Sequence, residues 1–177
     1  MRSVLLIIGL LSLQTTNPFS ELGQLHSLKG WKQQDGIDYP QTAKGATVLA
    51  RKTFFKPDFK LTIDALSFAQ HTSLRQLIHE RNRSRQGAAI PIPMAEFDKQ
   101  DLHVHYVAQP SYLEIDVTSG RIWVQIGVSR GNKSKISVLN TREEIAQDIR
   151  KDAQTYRLLK SLLPDIKRLA KQADTAQ

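Results

Sequence analysis

The sequence predicts an α+β fold, in which an antiparallel β meander packs against a long C-terminal helix. Two patterns predict it. Apolar and polar residues alternate in short runs over residues 101–139, and apolar residues recur with helical period over 141–163. An apolar sheet face and an apolar helix stripe are both buried when they pack together. With 177 residues, the chain has room for one domain, which we assign to residues 46–177.

The N-terminus has the plan of a secretory signal peptide over residues 1–16. Arg2 precedes a run of about ten mostly apolar residues, Val4 to Leu13, which is too short for the about 20 that a membrane-spanning helix needs. We therefore expect a periplasmic or secreted protein whose mature chain begins between Gln14 and Ser20. The region after Leu13 lacks a small-x-small cleavage pattern, so an N-terminal core element and an uncleaved anchor stay open as alternatives.

The next segment, residues 17–45, is rich in turn formers and predicts an irregular N-terminal segment or linker, with a short helix around Ser20–Leu28. Two strands follow at Ala46–Phe55 and Phe59–Leu66. The second alternates apolar and polar residues, and Lys56-Pro57-Asp58 supplies the turn between them.

A helix is predicted over Thr72–Arg85, because Leu74, Leu77 and Ile78 form a short apolar stripe and Gly87 can end it. The segment that follows, 88–93, contains two prolines. Proline has no backbone N–H to donate, so this segment is extended but excluded from a central strand.

Four strands of the predicted meander then alternate apolar and polar residues, at 102–106, 113–117, 122–128 and 136–138. Ser119-Gly120 is the expected tight turn between the second and third. Matching the apolar faces pairs Val104 with Ile115. A slip by one residue would bury carboxylates and is disfavoured, whereas a slip by two residues keeps the faces and moves His105 opposite Asp116.

The C-terminal helix begins at Thr141, which forms a capping box with Glu144. Its apolar stripe should cover the apolar face of the meander. We expect Pro164 to end or kink this helix, and a basic helical segment to resume over Asp165–Ala173. The stripe consists of Ile145, Ile149, Ala153, Tyr156, Leu159 and Leu163.

The polar face of the meander carries the first candidate site. The predicted register puts His105 opposite Glu114 and His103 opposite Asp116, and the predicted turn puts Asp116 opposite Trp123. Two histidines with facing carboxylates can bind a divalent metal or act as general acid–base pairs. The alternative is ordinary cross-strand pairing on an open, solvated sheet face, which we favour because nothing nearby predicts an enclosed pocket.

The predicted helix over 72–85 carries the second candidate site. Arg75, His79 and Arg83 share one helix face, and together with Arg121 and Trp123 they are candidate ligand-binding residues. Arginine side chains can bind phosphate groups or an acidic protein. The alternative is a solvated helix face, and the sequence offers too few aromatic residues beside these arginines for a nucleic-acid platform.

Charge and composition limit the function further. The formal net charge is +8, which favours anionic partners, and the absence of cysteine excludes disulfides and thiolate catalysis. No phosphate-binding glycine loop, nucleophile elbow or zinc-protease helix occurs. We therefore expect an exported, non-catalytic envelope or secreted protein that binds an anionic or protein partner without a cofactor. The alternative is a small exported metal-dependent hydrolase, acting on phosphodiesters through the His/carboxylate face.

Overall fold

A computed structural model describes residues 17–35, 45–84, 89–94, 97, 101–107, 112–131 and 141–176. Within these residues, seven antiparallel strands form one sheet in the order β1-β2-β3-β7-β6-β5-β4. In chain order the elements are 3-10 helices at Pro18–Gln24 and His26–Leu28, β1 (Lys32–Asp35), β2 (Ala46–Lys56), β3 (Phe59–Phe68), α1 (His71–Ser84), β4 (Ala89–Pro91), β5 (Leu102–Val107), β6 (Tyr112–Ser119), β7 (Ile122–Arg130), α2 (Arg142–Lys151) and α3 (Ala153–Thr175).

The predicted α+β architecture is confirmed, because α3 packs on the apolar face of the sheet. Strands β5, β6 and β7 form the predicted meander, and β7 pairs on its other side with β3. The predicted strand at 136–138 lies outside the described residues. The predicted extended segment contains β4, which lies at the edge of the described sheet and pairs with β5, as a strand that contains proline can.

The N-terminal segment, predicted to be an irregular linker, is part of the domain. The predicted short helix exists as the two 3-10 helices, and the Asn17 side chain caps the first of them. Phe19, Leu22 and Leu28 are buried in the same core as the apolar residues of α3. Polar residues outnumber apolar ones in this segment, but the few apolar side chains face inward, so burial includes it in the fold.

The C-terminal helix breaks at Asp152, and it does not end at Pro164. Asp152 ends α2 and caps α3, because its side chain accepts hydrogen bonds from the amides of Gln154 and Thr155. α3 then continues through Pro164, which is exposed. A proline on the solvent side leaves the carbonyl of Lys160 without its helical donor, but water can hydrate that carbonyl there.

The tight turn between β6 and β7 lies one residue later than predicted. Ser119 pairs with Ile122, so the turn residues are Gly120 and Arg121 instead of Ser119 and Gly120. Gly120 has a positive φ of 51°, which glycine adopts without strain. The amide of Arg121 donates to the Asp174 carboxylate at 2.9 Å, so the end of α3 is tied to this turn.

α1 covers part of the opposite sheet face. Leu74 of α1 is buried with Leu66, Phe68 and Trp123 in a second apolar cluster, separate from the main core. The sheet therefore has helices on both faces, with α2 and α3 on one side and α1 on the other. This placement decides which residues of the predicted polar face remain accessible.

Candidate functional site

The histidines and carboxylates of β5 and β6 have the predicted register. His105 lies opposite Glu114, and His103 lies opposite Asp116. All four side chains project from the sheet face opposite the C-terminal helices, since residues of antiparallel partner strands share a face when they are paired. The four residues of the first candidate site therefore lie on one sheet face, as two cross-strand pairs.

The pairing between β6 and β7 differs from the prediction. Asp116 lies opposite Gln125, while Trp123 lies opposite Thr118. The cause is the turn at Gly120–Arg121, because moving a hairpin turn by one residue moves the pairing by two. A shift of two preserves the faces, so Trp123 still projects from the same side as Asp116.

The expectation that this face is open is wrong. Glu114 is 2% exposed, Trp123 is 2% exposed and Asp116 is 9% exposed. Trp123 is buried with Leu74 of α1, so its ring is not available as a stacking platform. Alternation of polar and apolar residues predicts two different faces, but it does not predict which elements pack on each of them.

Hydrogen bonds hold the buried carboxylates. The Trp123 Nε1 donates to an Asp116 oxygen at 3.2 Å, and the Tyr112 hydroxyl donates to Glu114 at 3.1 Å. The Nε2 of His105 lies 4.0 Å from the other Asp116 oxygen. A buried carboxylate is costly unless donors satisfy it, and these donors supply part of that satisfaction.

The arrangement has no evident metal centre in the part of the chain that the structure describes. No group of three or more His, Asp or Glu side chains there lies close enough together to hold an ion. His103 is exposed while Glu114 is almost wholly buried, so the four candidate ligands differ greatly in accessibility. The metal-dependent hydrolase stays a prediction from the sequence.

The second candidate site is only partly assembled. Arg75 and His79 are exposed on α1, on the side away from the buried Leu74. Arg83 lies in α1, but its side chain is outside the described ones. Arg121 is half-buried at the β6–β7 turn, where its guanidinium donates to the carbonyl of Ala69 at 3.5 Å.

Another basic surface lies on the outward side of α3. Arg157, Lys160, Arg168 and Lys171 are all exposed there, and we name these four residues the α3 cation stripe. At 3.6 residues per turn they fall within about 80° of arc, and at 1.5 Å per residue they extend over about 21 Å. The signal in the sequence was the spacing of these cations, which continues the helical period on the side opposite the buried leucines.

The acidic residues of α3 do not neutralise this stripe at its centre. Asp165 and Asp174 are half-buried, and they accept hydrogen bonds from the Ser27 hydroxyl and the Arg121 amide. Arg168 lies 3.7 Å from Asp165, and an ion pair this long between solvent-accessible side chains contributes little. No acidic residue within α3 belongs to the exposed class, and the structure describes every residue of this helix.

The neighbouring helix α2 has mixed charge. Its exposed cations, Arg142, Arg150 and Lys151, accompany exposed Glu143 and Glu144. These acidic residues lie in the first turn of α2, where they interact favourably with the helix dipole. Unbalanced positive charge is therefore a property of α3 and not of the whole helical layer.

Comparisons of the chain with models of protein families, with curated proteins and with solved structures find no match. Among the described residues, no helix has the length and apolar character needed to cross a membrane.

Proposed function

We propose that this protein is an exported, non-catalytic binding protein that holds a polyanionic partner against the α3 cation stripe. The observation that carries the proposal is the exposure of Arg157, Lys160, Arg168 and Lys171 along one line of a helix without an exposed acidic residue. Adjacent like charges raise the local potential and attract a partner that carries regularly spaced negative groups. Export is the part of the proposal that rests on the predicted leader alone.

The stripe is preorganised for binding. Nine residues on the inner side of α3 are buried, so the helix is held on the sheet along its length. Its cations are therefore presented at fixed spacing, and binding does not have to order the backbone that carries them. Long Lys and Arg side chains still lose rotamer freedom, which limits the affinity that four contacts provide.

α1 supports this function less well than α3. Among the described side chains of α1, the exposed cation Arg75 is offset by the exposed carboxylate of Glu80. Glu80 accepts a hydrogen bond from Gln76 at 2.9 Å. α1 and α3 also lie on opposite faces of the sheet, so one flat partner cannot contact both helices.

The test compares two variants of equal net charge on a heparin column. The first replaces the four residues of the α3 cation stripe with glutamine. The second replaces four exposed cations outside α3, namely Lys32, Lys56, Lys60 and Arg75. We expect the stripe variant to elute at much lower salt than the wild type and the control variant to elute close to it, because short-range contacts depend on position and not on net charge.

Circular dichroism should show both variants folded, since all eight side chains are exposed. Equal loss of heparin binding in the two variants would show that net charge alone causes binding, and the proposal would then be wrong. Retention of wild-type binding by the stripe variant would also contradict it.

A further inference from the structure

We infer that the polyanion held by the α3 cation stripe is the headgroup layer of an anionic phospholipid bilayer; this inference rests on the proposed function and names its partner. The exposed, aligned cations identify negative charge as the ligand chemistry. The elements that pack beside α3 and the residues between the cations distinguish a planar bilayer from a nucleic acid.

The stripe belongs to a layer of helices on one face of the sheet. α3 contacts α2 and both N-terminal 3-10 helices, and all of them cover the same face of the sheet. The Ser27 hydroxyl of the second 3-10 helix donates to Asp165 of α3 at 3.1 Å. A helix that enters the DNA major groove must project into a channel about 12 Å wide, and α3 has neighbouring elements at its side. A planar array of headgroups can meet this layer without such a projection.

The residues between the cations favour headgroups over bases. Tyr156 is the one aromatic residue of α3, and it is half-buried against Phe97, with ring centroids 5.8 Å apart. Single-stranded nucleic acids bind proteins largely by stacking on exposed aromatic rings, and α3 offers none. The exposed positions between Lys160 and Arg168 are Ser161 and Pro164. Side chains this small do not insert into an acyl layer, so the contact is electrostatic and limited to the headgroups.

The predicted export agrees with this partner. A chain that crosses a membrane reaches a compartment bordered by phospholipid headgroups and separated from the nucleic acids of the cell. Near an anionic membrane surface each Lys or Arg contributes roughly equally to binding, and the contribution falls off within a Debye length. Binding should therefore depend on the number of stripe residues and disappear at high salt.

The experiment measures sedimentation of the full chain with large vesicles in 0.1 M NaCl. One set of vesicles is phosphatidylcholine alone, and the other contains one third phosphatidylglycerol. We expect binding to the anionic vesicles only. Lys160→Gln/Lys171→Gln should lower the partition coefficient about 30-fold. The matched control, Lys32→Gln/Lys60→Gln, removes two exposed lysines on the sheet face opposite α3 and should lower it less than about threefold.

Any of five results would overturn the inference. Binding to phosphatidylcholine vesicles as strong as binding to anionic vesicles would assign the contact to apolar residues such as the N-terminal run. An equal fall in the partition coefficient for the stripe variant and the control variant would assign binding to net charge. Heparin binding that depends on the stripe, without vesicle binding, would leave the proposed function standing and refute the bilayer. If the protein binds a 20-base-pair DNA duplex tightly through the stripe and does not bind vesicles, nucleic acid is the partner. A wild-type chain that binds neither heparin nor anionic vesicles would refute both proposals.

Discussion

Asp152 forms an ion pair with Arg130, and this contact ties the break between α2 and α3 to the end of β7. The same carboxylate accepts hydrogen bonds from the Gln154 amide at 3.3 Å and the Thr155 hydroxyl at 2.8 Å. The Arg130 guanidinium also lies over the ring of Phe59, 5.2 Å from its centroid. One carboxylate therefore caps α3 and holds a strand end at the same time.

Replacing Asp152 should destabilise the protein. Asp152→Ala removes the cap of α3, which costs about 1–2 kcal/mol, and leaves half-buried Arg130 without this partner. Asp152→Asn keeps a capping oxygen and should cost less. The measurement is urea unfolding at pH 7. Asp148→Asn, in the exposed pair with Lys151, is the control and should cost under about 0.5 kcal/mol. Equal stability of Asp152→Ala and wild type would contradict the assigned cap.

The same aspartate should make stability depend on acid pH. Burial raises the pKa of Asp152, but the hydrogen bonds from Thr155 and Arg130 outweigh this effect and lower the pKa below its ordinary value of 3.8. The unfolded chain therefore takes up the proton at higher pH than the folded chain does. The stabilisation is complete well above pH 3.8 and is lost as the pH falls through the lower pKa of the folded state.

Unfolding free energies of wild type and Asp152→Asn, measured between pH 7 and pH 2.5, check this pH dependence. The difference between the two proteins should be largest at neutral pH and should shrink as the acid limit is approached. A difference that stays constant over this whole range would show that the Asp152 carboxylate does not titrate as described.

Gly120 should tolerate alanine less well than another glycine with positive φ. A Cβ at Gly120 would clash with the carboxylate of Asp174, whereas a Cβ at Gly30 would meet no atom within 4 Å. Both residues have positive φ, so alanine costs roughly 1–2 kcal/mol of backbone strain at either position. Gly120→Ala should cost more than Gly30→Ala in thermal unfolding, because it also displaces Asp174.

A double-mutant cycle separates the two costs at Gly120. In an Asp174→Ala background the clash is removed, so Gly120→Ala should then cost only about the 1–2 kcal/mol of backbone strain. Strict additivity of the two substitutions would show that the turn and the end of α3 do not interact.

Ile149→Asp should destabilise the fold by several kcal/mol, because it places an unpaired charge at a buried position of α2. Gln147→Asp makes the same acidic substitution at an exposed position two residues earlier and should change the unfolding free energy by less than about 0.5 kcal/mol. Thermal unfolding of both variants tests the packing of α2 on the sheet. Wild-type stability of Ile149→Asp would place this side of α2 in solvent.

The mature N-terminus should lie between Gln14 and Asn17. Asn17 caps the first 3-10 helix, its Nδ2 donates to the Leu49 carbonyl at 2.6 Å, and Phe19 is fully buried. Cleavage after Phe19 would remove a core side chain, which typically costs 3–5 kcal/mol for a phenylalanine. Intact mass of natively expressed protein measures the cleavage point. A full-length cytoplasmic product would refute export.

Several features of this protein were determined by local sequence patterns. Period-two alternation determined the faces of β5, β6 and β7. It restricted the register of β5 against β6 to shifts that keep those faces, which left His105 opposite either Glu114 or Asp116, and the structure has the pairing with Glu114. The capping box at Thr141 and Glu144 likewise located the start of α2. Each of these features depends on residues close together in the chain or on one matched pair of strands, so the sequence is sufficient.

The candidate sites depended more strongly on distant contacts. The cations of α3 follow from helical period, but their dominance on its surface depends on Asp165 and Asp174 being turned toward Ser27 and Arg121. Those partners are far away in the sequence, and no local pattern indicates them. The basic face of α1 was recognisable, whereas the position of α1 on the sheet was not.

The sequence by itself determined the fold class, most of the strands and the two-faced character of the sheet, because hydrophobic periodicity is a local property. Only the tertiary structure decided that β7 pairs with β3, that α1 buries Trp123, and that the C-terminal helix breaks at Asp152. Each of these outcomes is a choice among alternatives of similar local energy. Burial of apolar surface and satisfaction of polar groups by residues distant in sequence made the choice.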